Sequence, residues 1–331
     1  MQTFWSMRKR ALAAGLVMLA AGADSRAAEV TFAAPNMDIY MYANAPSRGT
    51  RADMAAFGGP VGAAGVGSED RLGQSIIAWN TAGGGIPIGM GSANYAISRV
   101  TLRLSRYDVD GSVLRYDPTY DSYRTYLPTT DPLYVADSDL DRPIELYGLG
   151  LRNGYTDLAV SGSISGTRYG EGSPFGVGSG EHTRDAYAWS AASPRADHDV
   201  SENVTEGFES GPFAVATVDG LSPGDVIPSE ADFHFELNLA DPGVLAYLRD
   251  ALNKGELGFT ISSLVTTEFN GSGGSGAFAR FATRENPVPP LIPELEIEYA
   301  IIPEPNVAQI FILGAAALAT VRAVRRRDRF S

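Results

Sequence analysis

Alternation of apolar and polar residues is the strongest signal in this chain. Val100, Leu102 and Leu104 alternate with Thr101, Arg103 and Ser105, the period-two pattern of a strand with one face buried. Phe233, Phe235, Leu237 and Leu239 alternate with His234, Glu236 and Asn238 in the same way. In a third run Leu295, Ile297 and Tyr299 point inward and Glu294, Glu296 and Glu298 outward. Further strands are expected over 38–42, 75–80, 144–151, 213–218, 257–264 and 277–282, separated by clusters of Gly, Pro, Asn and Asp. One stretch has helical periodicity instead. Asp241 suits an N-cap, Pro242 the first turn and Gly255 the C-terminal cap, with Val244, Leu245, Leu248, Ala251 and Leu252 on one face between them. The pattern predicts a mainly β chain, an antiparallel β-sandwich carrying one short helix over about 242–254 that covers an open end of the sandwich.

Two continuous apolar runs stand apart from this alternation. Near the start, Arg8, Lys9 and Arg10 precede an uncharged run from Ala11 to Ala21, and Ala21-Gly22-Ala23 and Ala27-Ala28 each offer a small-x-small or small-small cleavage site. This is the layout of a secretory signal peptide, assigned to 1–28, and it implies processing by signal peptidase. At the other end, Pro303, Glu304 and Pro305 lead into an apolar run from Val307 to Val321, followed by Arg322, Arg325, Arg326, Arg327 and Arg329. That run is shorter than the ~20 residues of a comfortable membrane span. Its arginines favour the cytoplasmic side, which leaves everything before Pro303 outside.

This tail, 301–331, resembles the sorting signal of PEP-CTERM proteins, which an exosortase recognises and processes. Ile302 and Asn306 stand where that family often has Val and Ser or Thr. A plain C-terminal membrane anchor is the alternative reading. The helix around Leu245, the Gly255-Glu256-Leu257-Gly258-Phe259 run and the stretch from Phe281 to Leu295 resemble the C-terminal part of many such proteins. They are also similar to jelly-roll modules of the DNRLRE type. The resemblance implies a jelly-roll-like sandwich over 29–300 and transient membrane anchoring on the way to a secreted or surface location.

Charge narrows the partners. The whole chain carries −13; the two terminal segments carry +3 and +4, so the body between them carries about −20. An excess of that size repels phosphate backbones and argues against nucleic acid as a partner. There is no cysteine, which removes thiol catalysis and cysteine-based metal sites, and a body this long buries enough surface to fold without disulfides.

Candidate chemistry is sparse. His182, His198 and His234 are far apart and lack companion ligands at metal spacing, and no Gly-x-Ser-x-Gly elbow occurs. Asp137, Asp139 and Asp141, with Glu145 following, place hard oxygen ligands at alternate positions, as at the start of a calcium loop. The same spacing also suits an acidic turn. Asp108-x-Asp110-Gly111 is a shorter version. Tyr116, Tyr120, Tyr123 and Tyr126, with Arg124 among them, form a tyrosine-rich segment suited to contact with an extracellular polysaccharide, or simply to covering β-structure. The expectation is a non-catalytic matrix or envelope component. The alternative is a glycosidase or lyase using two of the many carboxylates, none of which the sequence pairs.

Overall fold

The computed structural model describes residues 27–41, 49–59, 70–107, 113–139, 141–158, 168–169, 185–265, 278–288 and 291–302. The sorting tail from Pro303, the signal run up to Arg26 and the Asp108 turn lie outside the described residues. In chain order the first strands are β1 (Ala28–Phe32), β2 (Met37–Met41), β3 (Asp53–Ala56), β4 (Gln74–Asn80), β5 (Tyr95–Ser105) and β6 (Ile144–Leu151). Next come β7 (Asp157–Leu158), β8 (Arg168–Tyr169), β9 (Ala186–Trp189), helix α1 (Asn203–Glu206), β10 (Ala214–Val215) and β11 (Asp232–Glu236). Helix α2 (Pro242–Lys254), β12 (Glu256–Ser263), β13 (Ala279–Ala282) and β14 (Glu294–Ile301) complete the chain.

The protein is mainly β and built from antiparallel sheets. One sheet has the order β1-β14-β5-β11; the other runs β10-β6-β12-β4-β2, with β9 also paired to β6. A parallel pair, β7 with β8, and an antiparallel pair, β3 with β13, lie beside them. Val100, Leu102, Phe233, Phe235, Leu295 and Ile297 of the first sheet share one core with Ile77, Trp79, Leu146, Phe259 and Ile261 of the second.

The alternating runs belong to the first sheet. Its outer face meets solvent, so β14 reads half-buried and buried by turns, as its sequence requires. There Arg99 reaches across to Glu296 at 2.8 Å and Glu298 at 3.3 Å, exposed pairs worth about 0–1 kcal/mol each. The second sheet is covered on both faces. Met37, Ile39, Ile76, Ala78, Leu149 and Tyr169 form a separate apolar cluster away from the main core, so β4, β6 and β12 are buried almost throughout.

Helix α2 is bounded as its sequence predicts. The Asp241 carboxylate accepts from the backbone N–H of Gly243 at 2.7 Å and of Val244 at 3.4 Å, and Gly255 closes the helix at φ 84°. Its buried face, Val244, Leu248, Ala251 and Leu252, joins the main core. No helix among the described residues is long and apolar enough to cross a membrane.

One expectation shifts: the strand expected over 213–218 is only the two residues of β10.

Candidate functional site

The β6–β12 ladder pairs Ile144 with Ser263 and continues to Gly148 opposite Phe259. There it stops. At the next position the hydroxyl of Tyr247, from helix α2, stands between the strands, accepting from Leu149 N–H at 2.9 Å and donating to Gly258 O at 2.6 Å. The strands are wedged apart by a side chain that satisfies both of the backbone groups it separates.

Glycines make this possible. A Cβ at Gly148 would lie 2.9 Å from the rings of both Phe213 and Tyr247, and one at Gly150 would lie 2.2 Å from Tyr187. Bare backbone at alternate positions of β6 therefore lets aromatic rings lie against the sheet. Trp189 of β9 stacks on Tyr247, with ring centroids 5.3 Å apart and planes at 29°. Phe213 meets both edge-on, at 6.0 and 5.2 Å.

Over this floor lies a cavity of about 950 Å³. β6 to β9 and the turn between β6 and β7 contribute Tyr155, Asp157, Arg168 and Tyr187; α2 and the start of β12 contribute Asp250, Lys254 and Glu256. Trp189, Tyr247 and Tyr155 are half-buried and so present part of their rings to the opening. Tyr187 is buried, its hydroxyl donating to Asp197 O at 2.9 Å and the Arg152 guanidinium 3.8 Å from its ring centroid. Burial pushes the Tyr187 phenol up to about 12, against the pull of Arg152, so it stays a donor at neutral pH.

Charged groups at the rim are largely matched. Arg168 lies 3.2 Å from Asp157 and 3.8 Å from Glu256. Glu256 also accepts from Leu158 N–H at 3.0 Å; burial nevertheless raises its pKa above the ordinary carboxylate value. Lys254, exposed in the last turn of α2, makes no ion pair with a described residue. Three carboxylates against two cations leave the rim close to neutral, which suits an uncharged, hydrogen-bonding ligand that stacks on aromatic faces.

The residues singled out from sequence lie elsewhere. Tyr116 is buried, its hydroxyl accepting from Val218 N–H at 3.2 Å. Tyr120 donates to Glu209 at 2.7 Å and accepts from Ser210 N–H at 3.0 Å. Tyr123 and Tyr126 bound a short 3-10 turn that includes Arg124, all three half-buried, and the Arg142 guanidinium sits 3.8 Å from the Tyr126 ring centroid. None of the five lines the cavity.

The acidic stretch from Asp137 is divided among several partners. Asp137 accepts from Arg142 at 2.8 Å, Asp141 (φ 90°) accepts from Arg115 N–H at 3.2 Å, and Glu145 lies in the interior against Arg71. Asp139 instead joins Asp117 and Asp121, which the spacing argument did not consider.

The sequence reading passed over Trp189, Tyr247 and the Asp157–Arg168–Glu256 group. The available signal was Gly148 and Gly150 at alternate positions of an otherwise apolar strand, which marks a face where rings lie against backbone. No family model matches this chain, and no curated protein matches it either.

Proposed function

We propose that this chain is a secreted, surface-sorted and non-catalytic component of an extracellular matrix or envelope, which holds a neutral polysaccharide in the cavity over Trp189 and Tyr247. The observation that carries the reading is that cavity: about 950 Å³, floored by stacked aromatic rings and rimmed by nearly balanced charge. Sugar rings have apolar faces for stacking and hydroxyls for the polar rim.

The domain is read as a jelly-roll-like β-sandwich, and the strand order supports this. Numbering only β1, β4, β5, β6, β10, β11, β12 and β14 from one to eight, the sheets run 1-8-3-6 and 5-4-7-2, the order two interleaved Greek keys produce. The sorting reading rests on sequence: a signal peptide for signal peptidase, and a Pro303-Glu304-Pro305 tail for an exosortase-type enzyme.

Binding is tested by electrophoresis of the purified protein through gels containing neutral or acidic polysaccharide. Retardation by a neutral polymer, with no new reducing ends, supports the proposal; free migration in every gel overturns it. Sorting is tested by mass spectrometry of surface material. Recovery of an intact peptide containing Arg325 would replace exosortase processing with a plain anchor.

A second reading is favoured by Asp157 and Glu256, two carboxylates in one cleft, the arrangement a glycosidase requires. Arg168 opposes it, since its guanidinium pairs with both carboxylates, at 3.2 and 3.8 Å, and so engages the two groups that the chemistry needs free. Release of reducing ends that is lost in Glu256→Gln would establish that reading.

A further inference from the structure

Away from the aromatic cavity, three loop carboxylates converge. Asp117 and Asp121 precede the 3-10 turn at Tyr123, and Asp139 comes from the loop before β6. One oxygen from each lies within 4.8 Å of the other two. Calcium binds carboxylate oxygens at about 2.3–2.6 Å, so two ligands of a single ion stand at most about 5 Å apart. The spacing meets that limit.

Hydrogen bonding leaves two of the carboxylate oxygens without a donor. Asp117 is only 4% exposed, and its Oδ1 accepts from the backbone N–H of Thr119 at 2.9 Å and from the Thr119 hydroxyl at 3.2 Å. Its Oδ2 is buried with no donor, and so is Oδ1 of Asp139. The Thr119 hydroxyl also lies 2.8 Å from Asp139 Oδ2, but it has a single proton to give to two acceptors. Bare buried carboxylate oxygens are costly, and a cation among them satisfies both at once.

The neighbouring positive charge does not fill this role. Arg142 Nη1 donates to Asp121 at 2.7 Å and to Asp137 at 2.8 Å, which commits it to those two carboxylates. Neither Asp117 nor Asp139 has an ion pair with a described residue. We propose that Asp117, Asp121 and Asp139 bind a hard divalent cation, with calcium as the ion. All three donors are hard carboxylate oxygens, which suit calcium better than zinc with its preference for nitrogen and sulfur. They sit on loops rather than in a rigid octahedral frame, which suits calcium over magnesium.

Ionised carboxylates this close repel one another, and a divalent ion among them offsets that repulsion.

The test uses the purified full-length chain, stripped with chelator, and does not depend on glycan binding. Calcium alone, at a hundredfold excess over its Kd, should raise Tm by about 5–10 °C. Terbium in place of calcium should luminesce through excitation of Tyr126, whose hydroxyl is 3.3 Å from Asp121, and calcium should quench that signal by displacement. Asp117→Asn and Asp139→Asn should each lose both responses, while Asp131→Asn, in the same loop but outside the cluster, retains them. No calcium shift and no terbium signal in the folded parent overturns the proposal, as does full binding in both cluster variants. Should the cluster variants fail to fold, the parent's response decides alone.

Discussion

Arg71 and Glu145 face each other in the interior, their side chains 1% and 2% exposed, and form an ion pair. Arg71 Nε also donates to Asn203 at 3.0 Å, and its guanidinium lies 4.9 Å from the Tyr147 ring centroid. One charge therefore joins the segment before β4, the start of β6 and helix α1. Glu145→Ala leaves that arginine buried without its counter-charge and should destabilise the fold by about 3–5 kcal/mol. Arg71→Met with Glu145→Leu should recover most of the loss, because an apolar pair of similar volume carries no desolvation cost. Urea denaturation of the three proteins measures both, and a single-variant loss below about 1 kcal/mol would contradict the account.

Trp189 should carry glycan affinity, and the tyrosine segment should not. Trp189→Ala removes one of the two stacked rings of the cavity floor and should weaken polysaccharide retention about tenfold, or about 1.4 kcal/mol. Tyr123→Ala, in the segment that drew notice for its composition, should leave retention unchanged. Affinity electrophoresis at matched concentrations compares them. The reverse ranking would move the binding surface to the 3-10 turn.

Asp38 should make the protein less stable as pH rises. Burial raises its carboxyl to about 7, with the nearby Glu285 charge adding and the Arg284 backbone N–H, 2.7 Å from Oδ2, opposing. The folded value lies above the unfolded one near 4, so between about pH 4 and 7 the native state keeps a proton that the unfolded chain has released. Stability then falls across that window, at up to about 1.4 kcal/mol per pH unit for each such proton. Asp38→Asn should flatten the slope, measured in chelator so that bound cation does not enter. A slope of the parent's steepness in the variant would rule Asp38 out as its source.

Two glycines with similar positive φ should respond differently to alanine. Gly220 (φ 76°) has nothing within 4 Å of an added Cβ, whereas at Gly255 (φ 84°) that atom meets Ile88 at 2.8 Å and Ala82 at 3.0 Å. Both substitutions incur the left-handed backbone penalty, about 1–2 kcal/mol. Gly255→Ala should lose more, by the cost of displacing Ile88 and Ala82 at the end of α2. Thermal unfolding of the two variants ranks them, and equal losses would refute the packing argument.

How far the sequence can be read depends on how many faces of an element meet water. β5, β11 and β14 have one wet face, so Leu102, Phe235 and Ile297 announce themselves by alternation. Helix α2 announces itself by Asp241 and Gly255, whose roles are local. β4, β6 and β12 are dry on both sides, and Ile76 and Ile77 are equally buried, so no period distinguishes their faces. The cavity was the least legible feature. Tyr247 and Gly258 are near in sequence, but Leu149 lies 98 residues from Tyr247, and only the folded chain shows that one hydroxyl serves both strands. The same holds for Asp117 and Asp139, which no spacing rule relates.

β1 and β14 run antiparallel, with Ala28 opposite Tyr299, so the chain enters and leaves the described domain at neighbouring points. β14 is not at the rim: it is bonded to β1 on one side and to β5 on the other. A pull applied between the two chain ends would open the β1–β14 pair one rung at a time, like a zip, at low force. A pull between the C-terminal end and the body of the domain must instead part β14 from β1 and β5 together. The same molecule thus yields more easily when drawn by both its ends than when one end is drawn against the rest of the fold.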